Sequence, residues 1–267
     1  MVRIPDEWLD AVLFLGTRST KGTIRWKGTG FVLSTPKEHL PGVRHSYFVT
    51  ARHNIEAARR EGGLWLRFNT AERAVVVEAD PYGPWVFHDD DTVDLGIAAA
   101  SAIGEFAFPF TLATEQIWTE EDAAGIDFGI GSEVFTMGLF GNREGTERNV
   151  PVIRTGIIAA MPGELVDDNT GHGPYRAYLA EILSMGGLSS SPVFFHATRG
   201  TKFPRVSFYL IGIIRSHWDE RPIEAPSDLP QREWLNRGIA ALTPASSIAQ
   251  MLDAPATKAA RRRNAPP

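Results

Sequence analysis

Apolar residues recur along this chain in short runs that alternate with polar positions and end at Gly, Pro, Asn or Asp. This is the pattern of β-strands joined by tight turns. Runs rich in Val, Ile, Phe, Trp and Tyr predict strands over residues 11–16, 22–26, 30–34, 46–50, 63–68, 74–79, 85–88 and 95–100. A second series follows at 133–139, 152–160, 176–182, 192–196 and 208–215. Many short strands at close spacing predict an all-β sandwich or closed barrels. Helical spacing is confined to residues 5–9, 54–60, 119–124 and 243–252, the last predicting a closing C-terminal helix. Between the two series, residues 104–127 lack alternation and carry Pro109 and the acidic run Glu120-Glu121-Asp122, so they read as a connection between two halves. No internal repeat is evident. The residues after Leu252 read as a disordered tail, and Arg261-Arg262-Arg263 within it as solvated charge.

Composition narrows the classes. A chain of 267 residues suffices for one large domain or two small ones with a sizeable core. Its 43% hydrophobic and 22% charged residues are those of an ordinary globular protein. A net charge of -5 gives no reason to expect nucleic acid or an anionic membrane as partner. The chain contains no cysteine, which excludes disulfides and thiolate metal sites and suits a reducing compartment. Acidic residues arrive at once (Asp6, Glu7), and the apolar run 11–15 is too short for a signal-peptide core. No stretch approaches the roughly 18 or more apolar residues of a membrane span. The expectation is a soluble, cytoplasmic protein.

Candidate chemistry begins at Met185-Gly186-Gly187-Leu188-Ser189-Ser190-Ser191-Pro192, a small-residue turn directly before the apolar run Val193-Phe194-Phe195. Such a turn can hold a serine oxygen clear of the backbone and aim amide N–H groups at one point, as nucleophilic acyl transfer requires. A Gly/Ser-rich turn between strands is as often only a turn. His53 lies just past the strand-like run Tyr47-Phe48-Val49-Thr50, which puts its imidazole at a rim, although a lone histidine is usually structural or solvated. Asp94 opens the apolar run Leu95-Gly96-Ile97-Ala98, where a part-buried carboxylate can accept a bond from a histidine Nδ1–H. The bland reading of Asp94 is a turn acid at a strand end. Asp89-Asp90-Asp91 reads as a solvated loop without the ligand spacing of a helix–loop–helix calcium site.

Taken in order, Val49-Thr50-Ala51-Arg52-His53, Asp94-Leu95-Gly96-Ile97-Ala98 and Gly187-Leu188-Ser189-Ser190-Ser191-Pro192 resemble the chymotrypsin-like (trypsin-like) serine peptidase family in its bacterial, disulfide-free form. Gly28-Thr29-Gly30-Phe31 resembles the family's strand before the histidine. Residues 133–138 and 151–157 resemble the opening strands of its second barrel, and 210–214 the strand beside its cleft. Gly238-Ile239-Ala240 and Pro244 resemble its close before the last helix. An α/β-hydrolase would want Gly-x-Ser-x-Gly and the order Ser, Asp, His.

The resemblance implies two six-stranded antiparallel β-barrels with the active site between them. The peptidase unit would span residues 1–253, with a first barrel over 11–105, a second over 128–243, a closing helix over 244–253, and the tail over 254–267. It implies His53 as base, Asp94 as its orienting acid, Ser189 as nucleophile, and the N–H groups of Gly187 and Ser189 as the oxyanion hole. It implies a polypeptide substrate and no metal or organic cofactor. It sets Leu183 near the floor of the primary specificity pocket and Arg215 or Ser216 near its wall, favouring a small or apolar substrate side chain. Two positions depart from the pattern. Leu188 stands where the family has Asp, so activation by a cut N-terminus is not expected. Ser190 stands where it has Gly, so its Cβ is expected to crowd the turn. An undirected cytoplasmic protease would be harmful, so a site latent until a regulatory protein partner orders residues 185–189 is one expectation. The alternative is a catalytically idle fold that serves as a peptide-binding or scaffold module.

Overall fold

The computed structural model describes residues 3–37, 40–119, 126–140, 143–167, 173–199, 205–220, 235–255 and 257–258. The expected helix over 119–124 lies almost wholly outside the described residues. So do His39, His172, the acidic run 120–122 and most of the tail with its three arginines.

The N-terminal half is built on a curved sheet. Asp6–Ala11 wind into a 3₁₀ turn, tighter than the helix expected there, which tucks Trp8 inward at 6% exposure. Strands β1 (Val12–Arg18), β2 (Ile24–Pro36) and β3 (Arg44–Thr50) follow as antiparallel neighbours. Helix α1 (Arg52–Glu61) precedes β4 (Leu64–Asn69), β5 (Ala74–Ala79), β6 (Val86–Phe87), β7 (Gly96–Ala99) and β8 (Leu112–Ala113). The hydrogen-bonded order is β5-β4-β1-β2-β3-β7-β6, with β8 beside β2. The runs expected over 22–26 and 30–34 belong to one strand, β2, which begins at Ile24 and continues through Lys27-Gly28. Leu15 and Gly16 of β1 pair with Gly28 and Trp26, so Lys27 is the extra residue of a bulge on β2. The path stays open between β5 and β6. Pro81 and Pro84 lie between those two strands, and neither has an N–H to extend a ladder.

The C-terminal half closes. It comprises β9 (Glu133–Gly138), β10 (Val152–Ala160), β11 (Leu165–Val166), β12 (Tyr175–Arg176), β13 (Tyr178–Glu181), β14 (Pro192–Arg199), β15 (Arg205–Glu220) and β16 (Leu235–Pro244). Six of these form a barrel in the order β10-β13-β16-β15-β14-β9, and β11 pairs with β12 apart from it. Helix α2 (Ser246–Asp253) follows, as the 3.6-residue spacing predicts, and the tail expected to be disordered from 254 is ordered at its start, with Thr257 buried and Lys258 N–H donating to Ala254 O.

A shared core joins the halves. Trp8, Phe14, Phe31 and Val49 from the first pack with Phe135, Phe194, Leu210 and Ile248 from the second. The Phe194 ring meets Trp8 edge-on at 4.9 Å and stacks on Phe135 at 5.4 Å. Each such buried side chain contributes about 1.5–3 kcal/mol, so the shared core holds the two halves together. No helix among the described residues is long and apolar enough to cross a membrane.

Candidate active site

The register of two strands brings His53 and Asp94 together. β3 pairs with β7 so that Thr50 lies opposite Gly96. His53 follows Thr50 by three residues, and Asp94 precedes Gly96 by two. The chain leaves β3 through Ala51, which is extended (φ -72, ψ 145) and caps α1 without any side-chain bond. Asp94 supplies what Ala51 lacks. Its Oδ1 accepts the His53 backbone N–H at 2.9 Å, satisfying one of the orphan donors at the helix start. Its Oδ2 lies 2.5 Å from His53 Nδ1. One carboxylate therefore anchors both the backbone and the ring of the same residue.

That carboxylate stays charged. Burial, with 12% of the side chain exposed, pushes its pKa up. The bond from the His53 ring, the attraction of that ring in its imidazolium form, the His53 N–H and the Arg215 guanidinium together outweigh burial, so the pKa lies below the usual carboxylate value. An ionised Asp94 requires a proton on Nδ1, which leaves Nε2 as an acceptor. Ser189 Oγ is 2.6 Å from that Nε2.

The nucleophile turn is held from both halves. Thr29 of β2 donates its N–H to Ser189 O at 3.0 Å and its hydroxyl to Gly187 O at 2.5 Å, while accepting Leu139 N–H at 2.9 Å. Leu188, where a resemblance to the family predicts Asp, is fully buried in the barrel core beside Val193 and Ile214. The turn is thus anchored by apolar packing at this position. Gly187 takes φ +101, a conformation that side chains other than glycine's rarely allow. Among the described residues, the N–H groups of Gly187 and Ser189 donate to no protein acceptor, whereas Leu188, Ser190 and Ser191 N–H donate to Met185, Ile214 and Leu188 carbonyls.

The three consecutive serines have different surroundings. Ser189 alone meets the imidazole. Ser190 is buried at φ +71, and its Oγ accepts Ala51 N–H at 2.6 Å and Asn54 Nδ2 at 3.0 Å, with Thr50 Oγ1 3.2 Å away. A left-handed conformation at a non-glycine residue costs about 1–2 kcal/mol, so the expected crowding by its Cβ appears as backbone strain rather than as a displaced turn. Ser191 Oγ is buried with no hydrogen-bond partner among the described residues and fills the space where a Cβ on Gly138 would otherwise sit, 1.9 Å away.

The remaining predicted residues are more scattered. Leu183 is 49% exposed. Arg215 is buried, with its guanidinium 3.4 Å over the Tyr175 ring and donating to Thr92 O, so it faces the acid side of the site. Ser216 is half-buried, 3.4 Å from Tyr175 Oη. In the acidic loop, Asp90 accepts from Thr92 and Asp91 pairs with Arg52. Among the described residues no group of three or more His, Asp or Glu side chains is placed to share a metal ion. Sequence reasoning missed Thr50 and Asn54, and missed the hydroxyl roles of Thr29 and Ser190. Their partners lie across the chain, and only the presence of a serine where the family has glycine hinted at one of them.

No family model and no curated protein matches this chain. Solved structures do. Human heparin binding protein aligns over 94% of this chain and 93% of its own at 9% identity, with a TM-score of 0.52. A glycine-to-glutamine mutant of the same human protein aligns over 94% and 92% at 8% identity, also with a TM-score of 0.52. At such identity the likeness concerns the fold alone, and that fold is trypsin-like: mostly β, with a closed six-stranded antiparallel barrel, a second sheet and a short C-terminal helix.

Proposed function

We propose that this chain is a serine endopeptidase that hydrolyses peptide bonds through Ser189, His53 and Asp94. The observation that carries the reading is the unbroken line of short contacts from Ser189 Oγ through the imidazole to Asp94, assembled from both halves of the fold. Ser189 Oγ attacks the substrate carbonyl as His53 Nε2 takes its proton. The tetrahedral oxyanion is received by the N–H groups of Gly187 and Ser189, each such donor lowering the barrier by roughly 3 kcal/mol. The imidazolium, paired with Asp94, returns the proton to the leaving amine, and an ester on Ser189 remains. Water, deprotonated by the same imidazole, then hydrolyses that ester and restores the serine.

An extended substrate would pair by main chain with β15 past Ile214, whose own N–H and O already bond Ser191 and Ser190. Leu183 offers apolar surface and no acid, which favours a small or apolar side chain over Lys or Arg. The heparin binding for which the structural neighbours are named finds no support in a net charge of -5. The absence of cysteine suits a reducing cell interior. A regulatory partner would act on access to the cleft, since Thr29 and Leu188 already hold the turn.

Digestion of a peptide library, with new termini read by mass spectrometry, tests the proposal. Cleavage that disappears in Ser189→Ala and in His53→Ala supports it. Peptides retained uncut by the unaltered protein would replace it with the idle, peptide-binding reading.

A further inference from the structure

Ser190 has a side chain with three polar neighbours and no place in the reaction above. Its hydroxyl reaches out of the second half into the first, accepting Ala51 N–H at 2.6 Å and Asn54 Nδ2 at 3.0 Å, beside Thr50 Oγ1 at 3.2 Å. Those neighbours surround the entry to α1, and His53 lies between Ala51 and Asn54 in the chain. The helix has no cap of its own at Ala51. On its other side Ser190 donates its N–H to Ile214 O of β15 at 2.6 Å. One residue thus ties the barrel wall to the start of the histidine's helix, immediately beside the nucleophile. Asn54 is placed for this by Gly28, where any Cβ would come 2.7 Å from its amide.

We infer that Ser190 is a positioning residue, whose hydroxyl sets the alignment of Ser189 Oγ with His53 Nε2 by docking the nucleophile turn onto the uncapped start of α1. The inference deepens the peptidase reading and rests on it. Retaining a serine at φ +71, a conformation that glycine adopts freely, fits a hydroxyl that is needed there. Its loss would let the two halves shift by a fraction of an ångström at the point where the proton transfers. Misplacement on the scale of 1 Å costs about a hundredfold in rate.

The test compares Ser190→Gly, which removes the hydroxyl and relieves the backbone, with Ser190→Ala, which removes the hydroxyl and keeps the strain. Both are read by kcat and KM on a cleaved peptide and by the ¹⁵N and Nδ1–H resonances of His53. The expected result is a kcat lowered about 10- to 100-fold in both variants with KM within about twofold, and His53 resonances displaced in both. Asn54→Ala should lower kcat on its own and add little to Ser190→Gly, because the two act as one unit. A Ser190→Gly protein with parental kcat and unshifted His53 resonances would overturn the inference, assigning the serine to backbone conformation alone. If the parent cleaves nothing, the peptidase reading fails separately. The resonances then decide the positioning role, with displacement upholding it and identity overturning it.

Discussion

Replacing Asp94 with Asn tests the reasoning most stringently because both of its oxygens accept from donors on one residue. Oδ1 takes the His53 backbone N–H at 2.9 Å and Oδ2 faces Nδ1 at 2.5 Å. An amide has one oxygen and one NH₂. With its oxygen kept on the backbone, the NH₂ confronts Nδ1 and drives the ring proton to Nε2, so Ser189 meets a donor in place of a base. With the amide turned over, the helix start loses its acceptor. The kcat should fall about 10⁴-fold with KM nearly unchanged, equivalent to about 5 kcal/mol of barrier at 1.36 kcal/mol per decade. Losing one charge-assisted bond costs about 1.5–3 kcal/mol of stability, which lowers Tm by roughly 5 °C in a domain of this size. The pH dependence has a definite sign. The folded pKa of Asp94 is depressed, so its ionisation stabilises the fold fully above the unfolded value, near 3.8, and progressively less as pH falls below it. The stability difference between parent and variant should therefore be flat at neutral pH and shrink on acidification. A kcat loss under tenfold would refute the assignment of Asp94 as the group that fixes the tautomer.

Three further outcomes follow from the packing and the ion pairs. Gly138→Ala would set a Cβ 1.9 Å from Ser191 Oγ and 2.9 Å from Thr29 Oγ1; overpacking of about 1–3 kcal/mol should lower Tm by several degrees and slow catalysis, and a variant that melts with the parent would contradict this. Phe194→Ala should cost about 3–5 kcal/mol and leave one unfolding transition in calorimetry, since Phe194 packs on both Trp8 and Phe135; two separate transitions would mean the core is not shared. Glu115, with a pKa lowered to about 2 chiefly by hydrogen bonds from Arg44, stabilises the fold above its unfolded value near 4.5 and loses that contribution as pH falls toward 2. Solvent exposure of the pair limits the effect of Glu115→Gln at pH 7 to under about 1 kcal/mol, and chemical denaturation across that pH range should show the gap closing.

The strands were readable where burial imposes alternation. Val152–Ala160 runs across one barrel wall with its residues half-buried and exposed in turn, and the expected and observed limits coincide. β16 was not read as a strand because it opens on Leu235-Asn236-Arg237, and its later apolar residues pair with β13 and β15 over distances that periodicity does not sense. His53, Asp94 and Ser189 stood out because each lies within three residues of a strand-like run, and the structure brings their side chains into hydrogen-bonding contact. The clamp made by Thr29, Thr50, Asn54 and Ser190 did not, because hydroxyl partners 21 to 158 residues apart leave no local signature. Arg215 shows the limit from the other side. Register suggested a pocket wall, but the side chain is long and turns inward onto Tyr175 and Thr92.

The central claim is that Ser189 is an activated nucleophile. Labelling the intact protein with a fluorophosphonate and locating the adduct by mass spectrometry tests it most directly. The expected adduct lies on Ser189 and disappears in His53→Ala as well as in Ser189→Ala. An adduct on Ser190 or Ser191, or one on Ser189 that forms as fast without His53, would contradict it.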